Sequence, residues 1–361
     1  MGAAVLLLLA LQEATPSELP CVPSPEIAVY RYSIHDSRRN EGWGAADSAD
    51  GNPLAWSGGP ILADYVDLFR LTGERYWLDQ LCRQFDRMLE NAVELEGDGL
   101  GWPSRRYTRD GSPQVYLVHE GMILLPVVQF AVLAGEDPRV PPDLAEKAEG
   151  YLEPILGRFL PKWDASWLDL SDSTGAYCFP DDPAERFPGR PLPYNQMAPV
   201  ARMFYLLQDV RELPVLLARA RAMTRLLQGG LHREGEGWTW DYWSVPEAGE
   251  AKVEDSSHGS LEVALAVEAY RRGEIFTEED IERFSATLLV TMWNGSEDDP
   301  RVSRNVDGTG GETPLPVRGW VDLGTTRPEV LDLFCLLFRV RGEPVTEIPA
   351  LLGAGAEVAP R

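Results

Sequence analysis

His258 stands in the stretch Glu254-Asp255-Ser256-Ser257-His258-Gly259, directly ahead of an apolar run from Leu261 to Tyr270. An imidazole can take up and return a proton near neutral pH, and carboxylates three and four residues away tune where it does so. Ser256 or Ser257 offers an N-cap oxygen, which predicts that His258 lies in the first turn of a helix, where free N–H groups and the dipole favour anions. The dipole pulls the imidazole towards neutrality and Glu254 and Asp255 pull the other way, so His258 is expected to titrate near neutral pH and to serve as a base. Two more helix starts carry polar groups at a comparable offset: His119 in Leu117-Val-His119-Glu-Gly, and Asn195 in Pro193-Tyr194-Asn195-Gln-Met.

These starts belong to a repeat. Helical runs begin at Trp56, His119, Asn195 and His258, with a weaker one near Trp320, and each is followed by a second amphipathic run and a long loop. The spacing of roughly 60 to 75 residues reads as αα-hairpins joined by irregular loops. The first run of each hairpin is apolar nearly all round, as expected of an inner helix, so the hairpins are predicted to close into an all-α (α/α) toroid. If the inner helices share one direction, their N-terminal ends meet at one mouth. The loops there are rich in large flat side chains: Trp102 after the first hairpin, and Trp238, Trp240, Asp241, Tyr242 and Trp243 after the third. Pro16 to Pro53 reads as an extended lead-in. The predicted organisation is a possible signal segment over 1–20, one toroid domain over 21–345 and a tail over 346–361.

The chain has 361 residues and a formal charge of −24, which argues against nucleic acid and anionic membrane surfaces as partners. Local basic groups, Arg105, Arg106 and Arg109 in one loop and Arg301, Arg304 and Arg318 in another, can still form an anion-binding pocket. The apolar stretch from Ala3 to Leu11 is too short to span a membrane and about right for the core of a secretory signal, which points to a secreted or periplasmic protein. Cys21, Cys82, Cys178 and Cys335 show no zinc-type spacing. No metal or other cofactor is expected, and the oligomeric state is not legible.

The motifs around His119, Asn195 and His258 resemble those of the α/α-toroid carbohydrate-active enzymes, most closely polysaccharide lyases acting on uronic-acid polymers, such as the alginate and glucuronan lyases. The resemblance covers about Trp43 to Arg341 and implies an active site in a cleft at one mouth. The residue types fit β-elimination: a carboxyl-neutralising set (Asn195, His119), a base (His258), and Tyr194 or Tyr242 as acid or shared base and acid. Trp56, Trp102, Trp238, Trp240 and Trp243 would stack on sugar rings, with Asp255, Arg106 and Arg304 as polar contacts. A glycoside hydrolase on a similar toroid would instead use Asp241 and Asp255 as its carboxyl pair. A non-catalytic sugar-binding protein would use the tryptophans alone.

Overall fold

The computed structural model describes residues 29–30, 32–34, 36, 43–247, 251–313 and 318–341. The expected signal segment and the 346–361 tail lie outside the described residues. Helical hairpins follow one another as predicted: α1 (Gly59–Thr72) with α2 (Arg75–Glu90), α3 (Leu117–Glu136) with α4 (Pro142–Pro154), α5 (Tyr194–Leu207) with α6 (Pro214–Gly229), and α7 (Ser256–Arg271) with α8 (Glu278–Ala286). Each is punctuated by local chemistry. Gly73 ends α1 in a left-handed conformation that costs glycine little, and Thr277 with Asp280 forms a capping box at the start of α8.

The first helix of each hairpin is the inner one. Helix α1 packs on α3, α3 on α5, α5 on α7, and α7 on the 3₁₀ segment Arg318–Thr325, which leads into α9 (Pro328–Arg341). The ring closes where Arg318 pairs with Asp64, at 2.7 Å, and with Asp67 on α1. The fold is an all-α (α/α) toroid, and the outer helices present one buried stripe each. Helix α3 is long and apolar enough to cross a membrane, but its apolar surface is buried inside the ring. The inner helices run the same way, because their first turns touch. A Cβ on Gly59 would collide with the Met122 carbonyl at the start of α3, and one on Gly121 would collide with Val200 on α5. These glycines let neighbouring N-terminal turns approach closely at one mouth.

Two expectations need correction. The lead-in is not wholly extended: Trp43–Ala46 and Gly51–Pro53 are short helical turns, the second capped by Asp50 accepting from the Asn52 N–H at 2.9 Å. The exit loops are also less irregular than their sequences suggest. Each outer helix is followed by an antiparallel two-stranded ribbon: β1 (Val93–Glu94) with β2 (Leu100–Gly101), β3 (Trp167–Asp169) with β4 (Gly175–Tyr177), β5 (Leu231–Glu234) with β6 (Gly237–Trp240), and β7 (Val302–Ser303) with β8 (Glu312–Thr313). Strands this short give no readable alternation.

Candidate active site

At the start of α7 the cap is Asp255, not a serine. Its Oδ1 accepts the N–H groups of Ser257 and His258, each at 3.0 Å. Its Oδ2 lies 2.9 Å from His258 Nδ1, and Glu254 Oε1 lies 3.5 Å from the same nitrogen. Burial works against charge on His258, but hydrogen bonds and charge from Asp255 and Glu254 outweigh it and push its pKa up to about 9. That shift favours the imidazolium form at neutral pH, the opposite direction from the neutral base expected of a helix N-terminus. Asp255 moves the opposite way: burial opposes its charge, yet hydrogen bonds from His258 and Ser257 hold its carboxyl well below the usual range. A carboxylate committed to a cap and an ion pair is a poor partner for Asp241 in a hydrolase pair. Asp241 itself sits half-buried on an isolated bridge to Val253.

Tyr242 faces His258, ring centroid to ring centroid, at 5.7 Å, and the Gln196 side chain hydrogen-bonds its hydroxyl. Lys252 Nζ stands 4.6 Å from its ring. Burial, then the charge of Glu254, raises the Tyr242 pKa, so the phenol keeps its proton.

The start of α3 is different in kind. His119 is fully buried and neither of its ring nitrogens has a hydrogen-bond partner among the described residues. The rings of Tyr107 and Tyr116 lie 5.6 Å and 5.5 Å away. Burial pushes the His119 pKa down to about 4, with Asp50 opposing, so this imidazole is neutral. Its neighbour Glu120 turns elsewhere, accepting from Lys162 Nζ and Trp163 Nε1, both at 2.6 Å. Burial raises Glu120 to about 7 against the pull of those two groups. On α5, Asn195 is buried with its Oδ1 unpartnered. Buried polar atoms normally find partners, and these unpartnered atoms stand at the first turns of adjacent inner helices.

Tyr107, missed by the sequence reading, connects the two ends. It packs on His119, its hydroxyl takes a hydrogen bond from Trp56, and it lies near enough to Tyr242 for the two phenols to oppose each other's ionisation. Trp56 is partly exposed beside it, as a sugar-stacking face requires. The guanidiniums of Arg106 and Arg186 both act on Tyr107; both are exposed, and neither has a carboxylate partner among the described residues. Arg304 is exposed too, and its carbonyl accepts the Ser256 N–H at 2.6 Å, placing it beside the start of α7.

Other expected site residues are structural. Trp102 is fully buried, stacked on Phe159 at 4.5 Å with its indole N–H on the Met88 carbonyl. Trp240 is buried between Phe284 and Trp320 and donates to Glu262. Trp238 lies half-buried under Arg283 of the outer helix α8. Trp243 is buried with Arg190 3.7 Å above its ring. Tyr194 is buried, its hydroxyl donating at 3.4 Å to the Ser244 carbonyl and lying against Gly230, where a Cβ would collide with it. Burial raises its pKa, and it packs rather than reacts. Besides Tyr107, sequence reasoning missed Gln196, Arg186 and Glu262. Only Gln196 carried a signal, its place next to Asn195.

No known protein family matches the sequence, and no curated protein matches it. Among solved structures, the chain resembles an α-1,6-mannanase of Salegentibacter at 11% identity and a TM-score of 0.49, covering 82% of this chain and 89% of that one. It resembles a family 88 glycosyl hydrolase of Bacteroides vulgatus at 13% identity and a TM-score of 0.48, covering 92% and 98%. It also resembles a polysaccharide lyase at 10% identity and a TM-score of 0.48, covering 92% and 96%.

Proposed function

We propose that this protein is a carbohydrate-active enzyme that cleaves a uronic-acid polysaccharide by β-elimination. The observation that carries the reading is that two histidines at equivalent inner-helix starts sit in opposite surroundings, His258 beside two carboxylates and His119 buried with neither ring nitrogen partnered, with Tyr242 facing the first. Elimination removes the proton on the carbon beside the carboxyl, breaks the bond to the glycosidic oxygen on the next carbon, and leaves a carbon–carbon double bond. It needs the carboxylate neutralised, a proton acceptor and a proton donor. His258 as imidazolium supplies neutralising charge. Neutral His119, with both nitrogens unpartnered, is the acceptor; it is covered by the Tyr107 and Tyr116 rings in the empty protein, so substrate must displace Tyr107 to meet it, and a nearby substrate carboxylate then raises its basicity. Tyr242 retains its proton and donates it to the departing oxygen. Asn195 Oδ1 accepts a sugar hydroxyl, and Trp56 provides a stacking face.

Substrate charge has independent support. In a chain of net charge −24, Arg106 and Arg186 lie unpaired beside Tyr107, where an anionic sugar would meet them. Cys335 is disulfide-bonded, which fits a secreted or periplasmic protein. The test is turnover of alginate, glucuronan, pectate and glycosaminoglycans, followed by ultraviolet absorbance and by reducing ends together. Both signals rising in step is the expected result. Reducing ends without absorbance would replace elimination by hydrolysis, and no turnover of any of them would remove the reading.

A further inference from the structure

Two carboxyl groups lie behind His258 that the proposed chemistry does not touch. Glu254 and Glu262 are both fully buried. Glu262, one turn along α7 from His258, receives the Trp240 indole N–H on Oε2 and lies against the Glu254 carboxyl, and neither its Oε1 nor Glu254 Oε2 has a hydrogen-bond donor among the described residues. Glu254 in turn accepts the Asp255 backbone N–H on Oε1 at 2.9 Å, and the same oxygen faces His258 Nδ1 at 3.5 Å. Two carboxylates cannot make that mutual contact in a dry site while both are ionised, because neither would have a proton to donate and their charges would repel.

We propose that Glu262 is a positioning residue: it shares one proton with Glu254 in a carboxylic acid–carboxylate pair, and this pair fixes the charge and orientation of His258. The other groups that face the pair agree with that assignment. Asp255 and His258 form the ion pair on its solvent side. From the neighbouring elements come Trp240 on β6, Tyr242 just after it, and Tyr194 on α5, whose hydroxyls both stay protonated. None of the three brings a positive charge. With His258 the one cation paired to the cluster among the described residues, two ionised glutamates and Asp255 would leave it with a buried surplus of negative charge. One retained proton removes most of that surplus. The proton sits on Glu262, which has the Trp240 indole N–H on its other oxygen, whereas Glu254 is the carboxyl that faces the imidazole.

The inference rests on the reading of His258 as the charge that meets substrate, but its test needs no substrate, so the two can fail separately. In the labelled full-length protein, the His258 imidazole is titrated by NMR, and infrared difference spectra report any un-ionised buried carboxyl. At a pH above the Glu120 titration, wild-type protein is expected to show that infrared band, and Glu262→Gln is expected to lose it while leaving the His258 titration in place, because a carboxamide N–H donates where the carboxylic acid did. Glu254→Gln is expected to lower the His258 pKa by about one unit or more, the size of losing one close counter-charge, and Glu262→Leu to lower it too, because Glu254 then takes up the proton that Glu262 held. Absence of the band in wild type, or Glu262→Gln shifting His258 as far as Glu262→Leu, would overturn the proposal. So would binding of added Mn²⁺ with broadening of the His258 resonance, which would make Glu254, Asp255 and His258 a cation site instead. If Glu262→Leu does not fold, the band and the Glu262→Gln titration decide the matter alone.

Discussion

The starts of α3 and α7 carry histidines at nearly the same depth in the ring, and the protein makes them electrostatic opposites. His258 is a third exposed and pinned between two carboxylates; His119 is sealed, with no partner for either nitrogen. The difference does not come from a shortage of acid at α3. Glu120 is adjacent in sequence, but it points to Lys162 and Trp163, tying the 3₁₀ segment Pro161–Ser166 to the inner helix. At α7 the acids precede the histidine and cap its own turn. A carboxylate before the helix therefore charges its histidine, whereas one after it serves another element.

If the comparison describes a working site, the largest effect belongs to the group facing the charged histidine. Tyr242→Phe removes one hydroxyl without emptying the space, so kcat should fall by about 10²–10⁴-fold while the thermal midpoint stays near wild type. Steady-state kinetics on whichever polymer is turned over, beside a melting curve, decides it. Activity within a few-fold of wild type would take the proton-donor role from Tyr242.

Glu120→Ala probes the sealed side. It strands Lys162, whose side chain is only 15% exposed, and breaking such a buried pair costs about 3–5 kcal/mol of stability. Chemical denaturation would measure this. A loss below about 1 kcal/mol, the level of a surface pair, would show that water reaches Lys162 and that the α3 start is not dry. His258→Gln should be milder in both respects. It keeps a hydrogen-bonding group but loses the charge, so kcat/KM should fall about 10- to 100-fold, the worth of a charged hydrogen bond. An unchanged kcat/KM would mean that the charge never meets substrate.

Much of this was legible in the sequence, for identifiable reasons. The inner helices announced themselves by apolar runs such as Ile123 to Leu133, and the shared offset of His119, Asn195 and His258 put all three in the first turns of inner helices. What could not be read was direction. Trp102 and Trp240 sit in Gly-rich aromatic stretches that look like exposed platforms, but ribbons two to four residues long fold them inward onto Phe159 and Trp320. Glu262 looks like a solvated residue on a helix and is buried, because the charge it meets is eight positions earlier in the chain. Tyr107 joins the site only because the loop carrying it pairs with the next one through the Thr108–Glu185 bridge. Contacts between elements leave no mark on local periodicity.

The smallest signal is the pH dependence of stability, because the two histidines act in opposite windows. The His258 pKa is raised from 6.5 to about 9, so the folded state holds its proton more tightly than the unfolded chain. That contribution is complete below the unfolded pKa and is lost as pH rises through about 9. The His119 pKa is lowered to about 4, so its contribution is complete above the unfolded pKa and is lost as pH falls through about 4. Glu120, raised to about 7, adds a loss as pH rises from its unfolded value towards 7. Denaturation across the pH range should therefore show His258→Gln flattening the alkaline decline alone and His119→Gln flattening the acid decline alone. Glu120→Gln should flatten only the slope below pH 7 that opposes the His119 contribution. If the two histidine variants altered the same limb, their charge states would not be opposite, and the division of labour between the two helix starts would have to be abandoned.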